Sequence, residues 1–305
     1  MRALLPATPL EPSRHLSQLL DRPVYLKLET FQPIRTFKIR GAIARFSGLA
    51  RAGHHGPVVT ASAGNHGLAV AWCGAHWGYP VHVFAPAGAN PAKLEAIRLW
   101  DGRIHQGGQG YDAAALAALS FAEEQGWPFI HGFDDPEIIA GQATIGLELA
   151  EEAELGTVVA GVGGGGLLGG IAASFAGRPG RPRMIGVEPA GAASMLAAQR
   201  AGRPVALGEV DTIADGLAPG QVSARTLALF QRHVDQVLAI ADQALWPAMR
   251  HFLEVEHLVV EPSGAAPLAA LMRDPALGQG SVALIVSGGN IAPAILSQLI
   301  GGSGR

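Results

Sequence analysis

Residues 157–168 read Thr-Val-Val-Ala-Gly-Val-Gly-Gly-Gly-Gly-Leu-Leu. The β-branched pair Val158-Val159 predicts a buried strand, and the apolar residues from Leu167 to about Phe175 predict a helix. Four consecutive glycines form the turn between them: Gly163, Gly164, Gly165 and Gly166. Residues 156–177 carry no charge, but each glycine costs a helix roughly 1 kcal/mol relative to alanine. The stretch therefore predicts a strand, a loop and a helix, not a membrane span.

The same order of strand, small polar turn and helix recurs at three other places. Strands are predicted at 58–60, 81–84 and 282–286. Strands that alternate with helices indicate an α/β fold with parallel sheets. Ligands of such folds bind beyond the carboxyl ends of the strands. The turns 62–66 and 287–290 and the glycine run all follow strands directly, so we expect them to contribute to one site.

Composition limits the class of protein. The chain has 305 residues, of which 49% are hydrophobic and 15% charged, and a net charge of -3. This balance indicates a folded protein with a sizeable core, and the lack of a basic stripe argues against nucleic acid as a partner. The single cysteine, Cys73, and the absence of a signal-like N-terminus predict a cytoplasmic protein without a membrane partner.

The glycine run is a candidate anion site. Its amides, at the start of a helix, can surround one anion. No lysine follows as in a P-loop, and the spacing differs from a dinucleotide fingerprint. The run therefore favours a monophosphate over a nucleotide, and a flexible turn is the alternative interpretation.

Two further stretches carry candidate chemistry. Lys38 lies among apolar residues, and burial lowers a lysine pKa toward the neutral amine that Schiff-base chemistry requires. A solvated surface lysine is the alternative. Ser62 and the amides that follow it can hold a carboxylate at a helix start, or Ser62 and Asn65 can simply cap the helix. For His66, packing is favoured over catalysis.

Taken in order, the motifs resemble one family almost from end to end. They are Thr8-Pro9-Leu10, Tyr25-Leu26-Lys27-Leu28-Glu29, Phe37-Lys38-Ile39-Arg40-Gly41-Ala42, Ala61-Ser62-Ala63-Gly64-Asn65-His66, Phe133-Asp134-Asp135, Ile139-Ala140-Gly141-Gln142, Val162-Gly163-Gly164-Gly165-Gly166-Leu167, Gly186-Val187-Glu188-Pro189, Ala214-Asp215-Gly216, Glu261-Pro262-Ser263-Gly264-Ala265 and Ser287-Gly288-Gly289-Asn290. The chain resembles the fold-type II pyridoxal-phosphate (PLP) enzymes of the threonine dehydratase and serine racemase group. The resemblance implies two doubly wound α/β domains, as in the tryptophan synthase β-like fold, with PLP in the cleft between them. The large domain would comprise 1–56 and 135–305, and the small inserted domain 57–134.

The resemblance also implies a role for each matching residue. Lys38 would bind the PLP aldehyde and later take the α-proton, with Phe37 beside the cofactor ring. Asn65 would bond the ring hydroxyl and Ser287 the ring nitrogen. Ser62, Ala63, Asn65 and His66 would bind the substrate carboxylate. The phosphate would be held by the loop residues Gly163, Gly164, Gly165, Gly166 and Leu167.

The implied reaction is loss of water from L-threonine or L-serine, which gives a 2-oxo acid and ammonia in amino-acid catabolism. A serine racemase is an alternative, but the serine that such racemases place before Gly-Asn-His is Ala63 here. A non-catalytic anion-binding or PLP-binding protein is a further alternative, against which the intact Lys38 argues. The resemblance also implies a homodimer.

Two departures from the family pattern affect the substrate and the metal. Ile34-Arg35-Thr36 replaces the usual Thr-Gly-Ser before Phe37. Arg35 is either a surface residue or a residue that binds a second carboxylate or gates the substrate, which would favour 3-hydroxyaspartate or a bulkier substrate such as phenylserine. The family's divalent-metal site matches at Glu188 and the carbonyl of Ala192, but Ser194 replaces an aspartate. Since hydroxyls bind hard cations more weakly than carboxylates, we expect weak or absent metal binding.

Overall fold

The computed structural model describes residues 4–302, which form nine strands and twelve α-helices. The strands are β1 (Leu10–Pro12), β2 (Val24–Leu28), β3 (Val58–Ala61), β4 (Val81–Ala85), β5 (Arg103–Gln106), β6 (Thr157–Gly161), β7 (Arg183–Pro189), β8 (Gln236–Ile240) and β9 (Val282–Val286). The helices are α1 (Arg14–Leu19), α2 (Lys38–Arg51), α3 (Asn65–Trp77), α4 (Pro91–Arg98), α5 (Gly110–Gln125), α6 (Pro136–Glu152), α7 (Gly166–Ser174), α8 (Ser194–Ala201), α9 (Ala224–His233), α10 (Leu245–Glu254), α11 (Pro262–Arg273) and α12 (Pro293–Gly301).

The chain divides into two compact units. Within the described residues, one comprises Lys38–Gly141 with Leu4 and Leu5, and the other comprises Pro6–Phe37 and residues 142–302. The expected small domain, 57–134, falls within the first unit, which also contains α2. The exact domain boundaries stay a prediction, and the first and last three residues of the expected large domain lie outside the described residues.

The second unit is built on a six-stranded sheet in the order β1-β2-β9-β6-β7-β8. Only the pairing of β1 with β2 is antiparallel within this sheet. The central strands β6 and β9 are buried at every residue, as expected of parallel strands covered on both faces. Their continuous apolar runs, not an alternating pattern, are what made them recognisable in the sequence.

Both faces of this sheet are covered by helices. Val159 and Leu284 lie in one hydrophobic cluster with residues of α10, α11 and α12. Their neighbours Val158 and Ile285 lie in another, with residues of α6, α7, α8 and α9. Since successive residues of a strand point to opposite faces, the sheet is doubly wound.

The first unit contains a parallel sheet in the order β3-β4-β5. The chain from Pro128 to Ile130 extends this sheet beside β3, where the Ile130 amide donates to the Val59 carbonyl at 2.8 Å. Helix α2 packs on α3 in the same unit. The predicted α/β class with parallel sheets is confirmed. No helix within residues 4–302 is long and apolar enough to cross a membrane.

Candidate active site

The glycine run forms the turn between β6 and α7. Within α7 the first bond between successive turns runs from the Gly169 amide to the Gly165 carbonyl, at 3.0 Å. The amides of Gly166, Leu167 and Leu168 therefore have no acceptor inside the helix. The whole loop is buried, so these N–H groups need an acceptor that the helix does not supply. An anion at this helix start meets that need.

At two positions of the glycine run, neighbouring atoms leave no space for a side chain. A Cβ on Gly163 would lie 3.0 Å from the Gly216 carbonyl oxygen. Gly165 has a φ of +87°, and a Cβ there would lie 2.8 Å from Cε of Met195. Glycine is required at 165 both for its left-handed backbone and for space. The loop thus presents bare amides, as a phosphate cradle requires.

Ser287 lies directly after β9, on a loop that the chain before Lys38 holds in place. The Phe37 amide donates to the Ser287 carbonyl at 3.0 Å, and the Gly289 amide donates to the Arg35 carbonyl at 2.9 Å. Ser287 is 4% exposed. Phe37 packs against the cluster that contains Val158. The structure therefore brings the main chains of Phe37 and Ser287 together, and their contacts with a cofactor ring stay a prediction.

Lys38 is the first residue of α2 and is partly buried. Its Nζ donates a hydrogen bond to the main-chain carbonyl oxygen of Gly132, at 2.8 Å. This bond to a main-chain carbonyl fixes the position of the amine nitrogen. Neither Gly132 nor its neighbour His131 was identified from the sequence, because a main-chain carbonyl leaves no residue signature.

The turn before α3 contains the predicted carboxylate-binding residues. Ser62 Oγ accepts a hydrogen bond from the Gly64 amide at 3.1 Å. The first bond between turns of α3 runs from the Leu68 amide to the Gly64 carbonyl, so the amides of His66 and Gly67 precede the hydrogen-bonded helix. Ala63 and Asn65 lie in the same turn. This end of α3 can bind an anion. The Gly64 amide that donates to Ser62 precedes the helix, so anion binding and capping both stay predictions for Ser62.

His66 is held as a neutral ring. It is 5% exposed, and its Nε2 lies 3.1 Å from the Ile130 carbonyl oxygen, to which it must donate. Burial, followed by the charge of Lys38, lowers the pKa of His66 to about 3. Its Nδ1 is buried without a partner among the described residues. That atom therefore carries a lone pair and can accept a hydrogen bond, not donate one to a carboxylate.

Glu188, the carboxylate predicted as a metal ligand, is engaged in another contact. The two carboxylate oxygens of Glu188 accept the amides of Met195 at 2.7 Å and Leu196 at 2.9 Å, which caps α8. Burial raises the pKa of Glu188 to about 7 against the opposing effect of those two amides. Ala192 is buried nearby in sequence, and Ser194 Oγ has no partner within 4–302. The part of the chain that is described contains no cluster of three or more His, Cys, Asp or Glu suited to a metal.

Arg35 is exposed on the turn before Phe37. Its Nη1 donates to the Thr30 carbonyl at 3.3 Å, and no ion pair of Arg35 occurs among residues 4–302. Its φ of +59° is the left-handed conformation in which glycine is more stable than arginine. The observed contact is that of a surface residue, and a substrate contact of Arg35 stays a prediction.

A buried glycine loop at a helix start and a partly buried lysine at the start of another helix are typical of α/β enzymes that use a phosphorylated aldehyde cofactor. The family model described as "Pyridoxal-phosphate dependent enzyme" matches residues 2–288, and the chain belongs to that family. PLP fits the residues present, because its phosphate is the acceptor that the buried amides before Gly169 lack and Lys38 supplies an amine.

Relatives and solved structures make the similarity more specific. The chain is 36% identical over 302 residues to the L-threonine ammonia-lyase of Geobacter sulfurreducens, covering 98% of this chain and 75% of that protein. It matches the processed form of threonine deaminase isoform 2 from Solanum lycopersicum with a TM-score of 0.91 and 34% identity, over 98% of this chain and 88% of that one. It matches maize serine racemase with a TM-score of 0.89 and 32% identity, over 97% and 92% of the two chains.

Proposed function

We propose that this protein is a PLP-dependent dehydratase that removes water from L-threonine or L-serine and releases a 2-oxo acid and ammonia. The observation that carries the proposal is Lys38, whose amine bonds a main-chain carbonyl beside a neutral histidine. A lysine amine is the group that reacts with the aldehyde of PLP. The relatives named for threonine ammonia-lyase and threonine deaminase support the same substrate class.

Two sets of residues would hold the cofactor. The amides of Gly163, Gly164, Gly165, Gly166 and Leu167 would bind its phosphate. Ser287 would bond the ring nitrogen, Phe37 would pack beside the ring, and Asn65 would bond the ring hydroxyl. When bound, PLP supplies an electron sink that lowers the cost of removing the α-proton of an amino acid. A neutral hydroxyl at the ring nitrogen, in place of a carboxylate, favours prompt elimination over a long-lived carbanion.

Lys38 would carry the proton during the reaction. Its Nζ would take the α-proton of the substrate, while Gly132 accepts another N–H of the same nitrogen and fixes its position. Proton transfer by a positioned base typically contributes 10²–10⁴-fold to a rate, so most of the loss on removing Lys38 would fall on kcat. No exposed carboxylate is needed for this step.

The start of α3 would bind the substrate carboxylate. The amides of His66 and Gly67 and the hydroxyl of Ser62 can donate to it, and the positive end of the helix dipole favours the negative charge. The neutral ring of His66 would contribute a lone pair at Nδ1, and so would accept a hydrogen bond instead of binding the carboxylate. This placement would hold the α-carbon in one orientation during proton removal.

Ala63 favours elimination over racemisation. Racemisation needs a group that delivers a proton to the face opposite Lys38, and the methyl group of Ala63 cannot exchange one. A second candidate reaction, dehydration of 3-hydroxyaspartate, is favoured by the exposed guanidinium of Arg35 alone. Threonine and serine remain the substrates that the relatives support.

A panel of β-hydroxy amino acids tests this function. L-Threonine, L-serine, 3-hydroxyaspartate and phenylserine isomers are each incubated with the PLP-loaded protein, and 2-oxo acid and ammonia are measured together. We expect equal amounts of both products from threonine and serine, and none with Lys38→Ala. D-Serine formation by the wild type would favour the racemase, and a colourless, inactive protein would favour the binding-protein alternative.

A cytoplasmic homodimer is part of the proposal. The single cysteine, Cys73, is buried, as expected of a protein that uses no disulfide in a reducing compartment. The dimer follows only from the family resemblance. Light scattering on the purified protein tests it, since a dimer has twice the chain mass of 31.5 kDa.

A further inference from the structure

A histidine side chain closes the tight turn that carries Gly132. Nδ1 of His131 accepts the amide N–H of Phe133 at 3.2 Å and that of Asp134 at 2.9 Å. An acceptor at one residue that bonds the amides two and three positions later is the usual geometry of Asn, Asp and Ser turns. Here an imidazole supplies it. Gly132 lies inside this turn, so the bonds of His131 restrict the orientation of its carbonyl.

The turn begins from a fixed point in the same unit. The Ile130 amide donates to the Val59 carbonyl at 2.8 Å, and the Ile130 carbonyl accepts from Thr60 Oγ1 at 2.8 Å and from His66 Nε2 at 3.1 Å. Only the backbone dihedrals of His131 lie between this anchored residue, Ile130, and Gly132. His131 therefore decides where the next carbonyl, that of Gly132, points.

We propose that His131 is a positioning residue for Lys38, acting through the Gly132 carbonyl. The proposal rests on the proposed function, in which Lys38 is the catalytic amine. By accepting the Phe133 and Asp134 amides, His131 holds the Gly132 oxygen 2.8 Å from Nζ and so fixes the lysine nitrogen in space. A displacement of about 1 Å at a reacting group can cost on the order of 100-fold in rate.

The turn requires His131 in its neutral form. A proton on Nδ1 would face two N–H donors, and both hydrogen bonds would be lost. Burial is the main cause that lowers the pKa of His131; Asp134 and Asp135 raise it and Lys38 lowers it, with His66 also nearby. Because the folded pKa lies below the ordinary 6.5, the turn is complete above that pH and is lost as the pH falls through the folded value.

Asparagine and alanine variants of His131 distinguish the hydrogen-bond acceptor at Nδ1 from the volume of the side chain. In His131→Asn, Oδ1 stands where Nδ1 stood and accepts the same amides, but it does not titrate. His131→Ala removes the acceptor. We measure kcat and KM across pH, and also the rate at which each apoprotein takes up PLP on Lys38, followed by absorbance and borohydride trapping.

We expect His131→Ala to lose about tenfold or more in kcat with KM within about threefold, and to take up PLP more slowly. His131→Asn should stay within about threefold of the wild type at neutral pH and lose the acid limb of the kcat profile. The proposal would be overturned if His131→Ala had the kcat of the wild type. It would also be overturned if His131→Asn lost as much kcat as His131→Ala and still showed the decrease of kcat at acid pH. If alanine does not fold, the asparagine profile decides. If the wild type dehydrates nothing, the proposed function fails, and the uptake rates still test His131.

Discussion

Nζ of Lys38 and the carbonyl oxygen of Gly132 lie 2.8 Å apart, in a turn that also contains two aspartates. In the same turn, Asp135 pairs with Nε of Arg45 at 3.0 Å. The Gly132 carbonyl fixes the position of the lysine nitrogen, and the proton transfer proposed for Lys38 depends on that position.

Gly165→Ala tests the phosphate loop. We expect PLP binding to weaken at least about tenfold, because an alanine at positive φ costs about 1–2 kcal/mol and its methyl would meet Met195. The measurement is a PLP titration of the apoprotein. Gly177→Ala is the matched control, since Gly177 has a φ of +73° with no atom within 4 Å of the added carbon. Equal losses in both variants would show that backbone strain, not the loop, governs binding.

The sequence predicted the buried elements better than the exposed ones. The predicted strand at 158–159 and its helix correspond to β6 and α7, because continuous β-branched residues and a glycine turn are local signals. Strand β5 was not predicted: Arg103-Ile104-His105-Gln106 contains one β-branched residue, and pairing with β4 alone makes it a strand. Neighbouring strands, not its own residues, determine its conformation.

The site divides in the same way. Lys38, Ser287 and the glycine loop were predicted from the sequence because their residue types carry a chemical signal, and their roles stay predictions. The carbonyl of Gly132 and the turn-closing ring of His131 were not, because their function depends on backbone direction. A histidine two residues before Phe133 was the only available signal.

His66→Gln tests the neutral histidine through acid stability. The folded pKa, about 3, lies below the ordinary 6.5, so its contribution to stability is present above pH 6.5 and is lost as the pH falls toward 3. In that range the wild type should lose up to about 1.4 kcal/mol of unfolding free energy per pH unit from this group. Urea unfolding between pH 6.5 and 4.5 should show a shallower slope for His66→Gln. His55→Gln, which removes an exposed imidazole, is the control, and identical slopes for His66→Gln and wild type would refute the assignment.

Ser194→Asp tests the metal expectation. Because Glu188 is already bonded to two amides and Ser194 offers only a hydroxyl, chelation with EDTA should leave the melting temperature and the activity of the wild type unchanged. In Ser194→Asp, a second carboxylate should make the melting temperature rise on addition of Mg²⁺. A wild type that loses activity in EDTA and recovers it with Mg²⁺ would contradict this expectation.

Arg35→Ala separates a surface arginine from a substrate ligand. Since the guanidinium is exposed and bonds the Thr30 carbonyl, we expect the same small change in kcat/KM, within about threefold, for threonine and for 3-hydroxyaspartate. Steady-state kinetics on both substrates measure it. A loss at least about tenfold larger on 3-hydroxyaspartate would assign Arg35 to a second carboxylate and revise the substrate class.

The most direct test is to reduce the PLP-loaded protein with borohydride and locate the modified residue by peptide mass spectrometry. The chain offers three lysines: Lys38, the ion-paired Lys27 and Lys93 on α4. We predict that the cofactor mass is found on Lys38 alone and that Lys38→Ala lacks both the absorbance band and the label. Label on Lys27 or Lys93, or a coloured and labelled Lys38→Ala protein, would contradict the account.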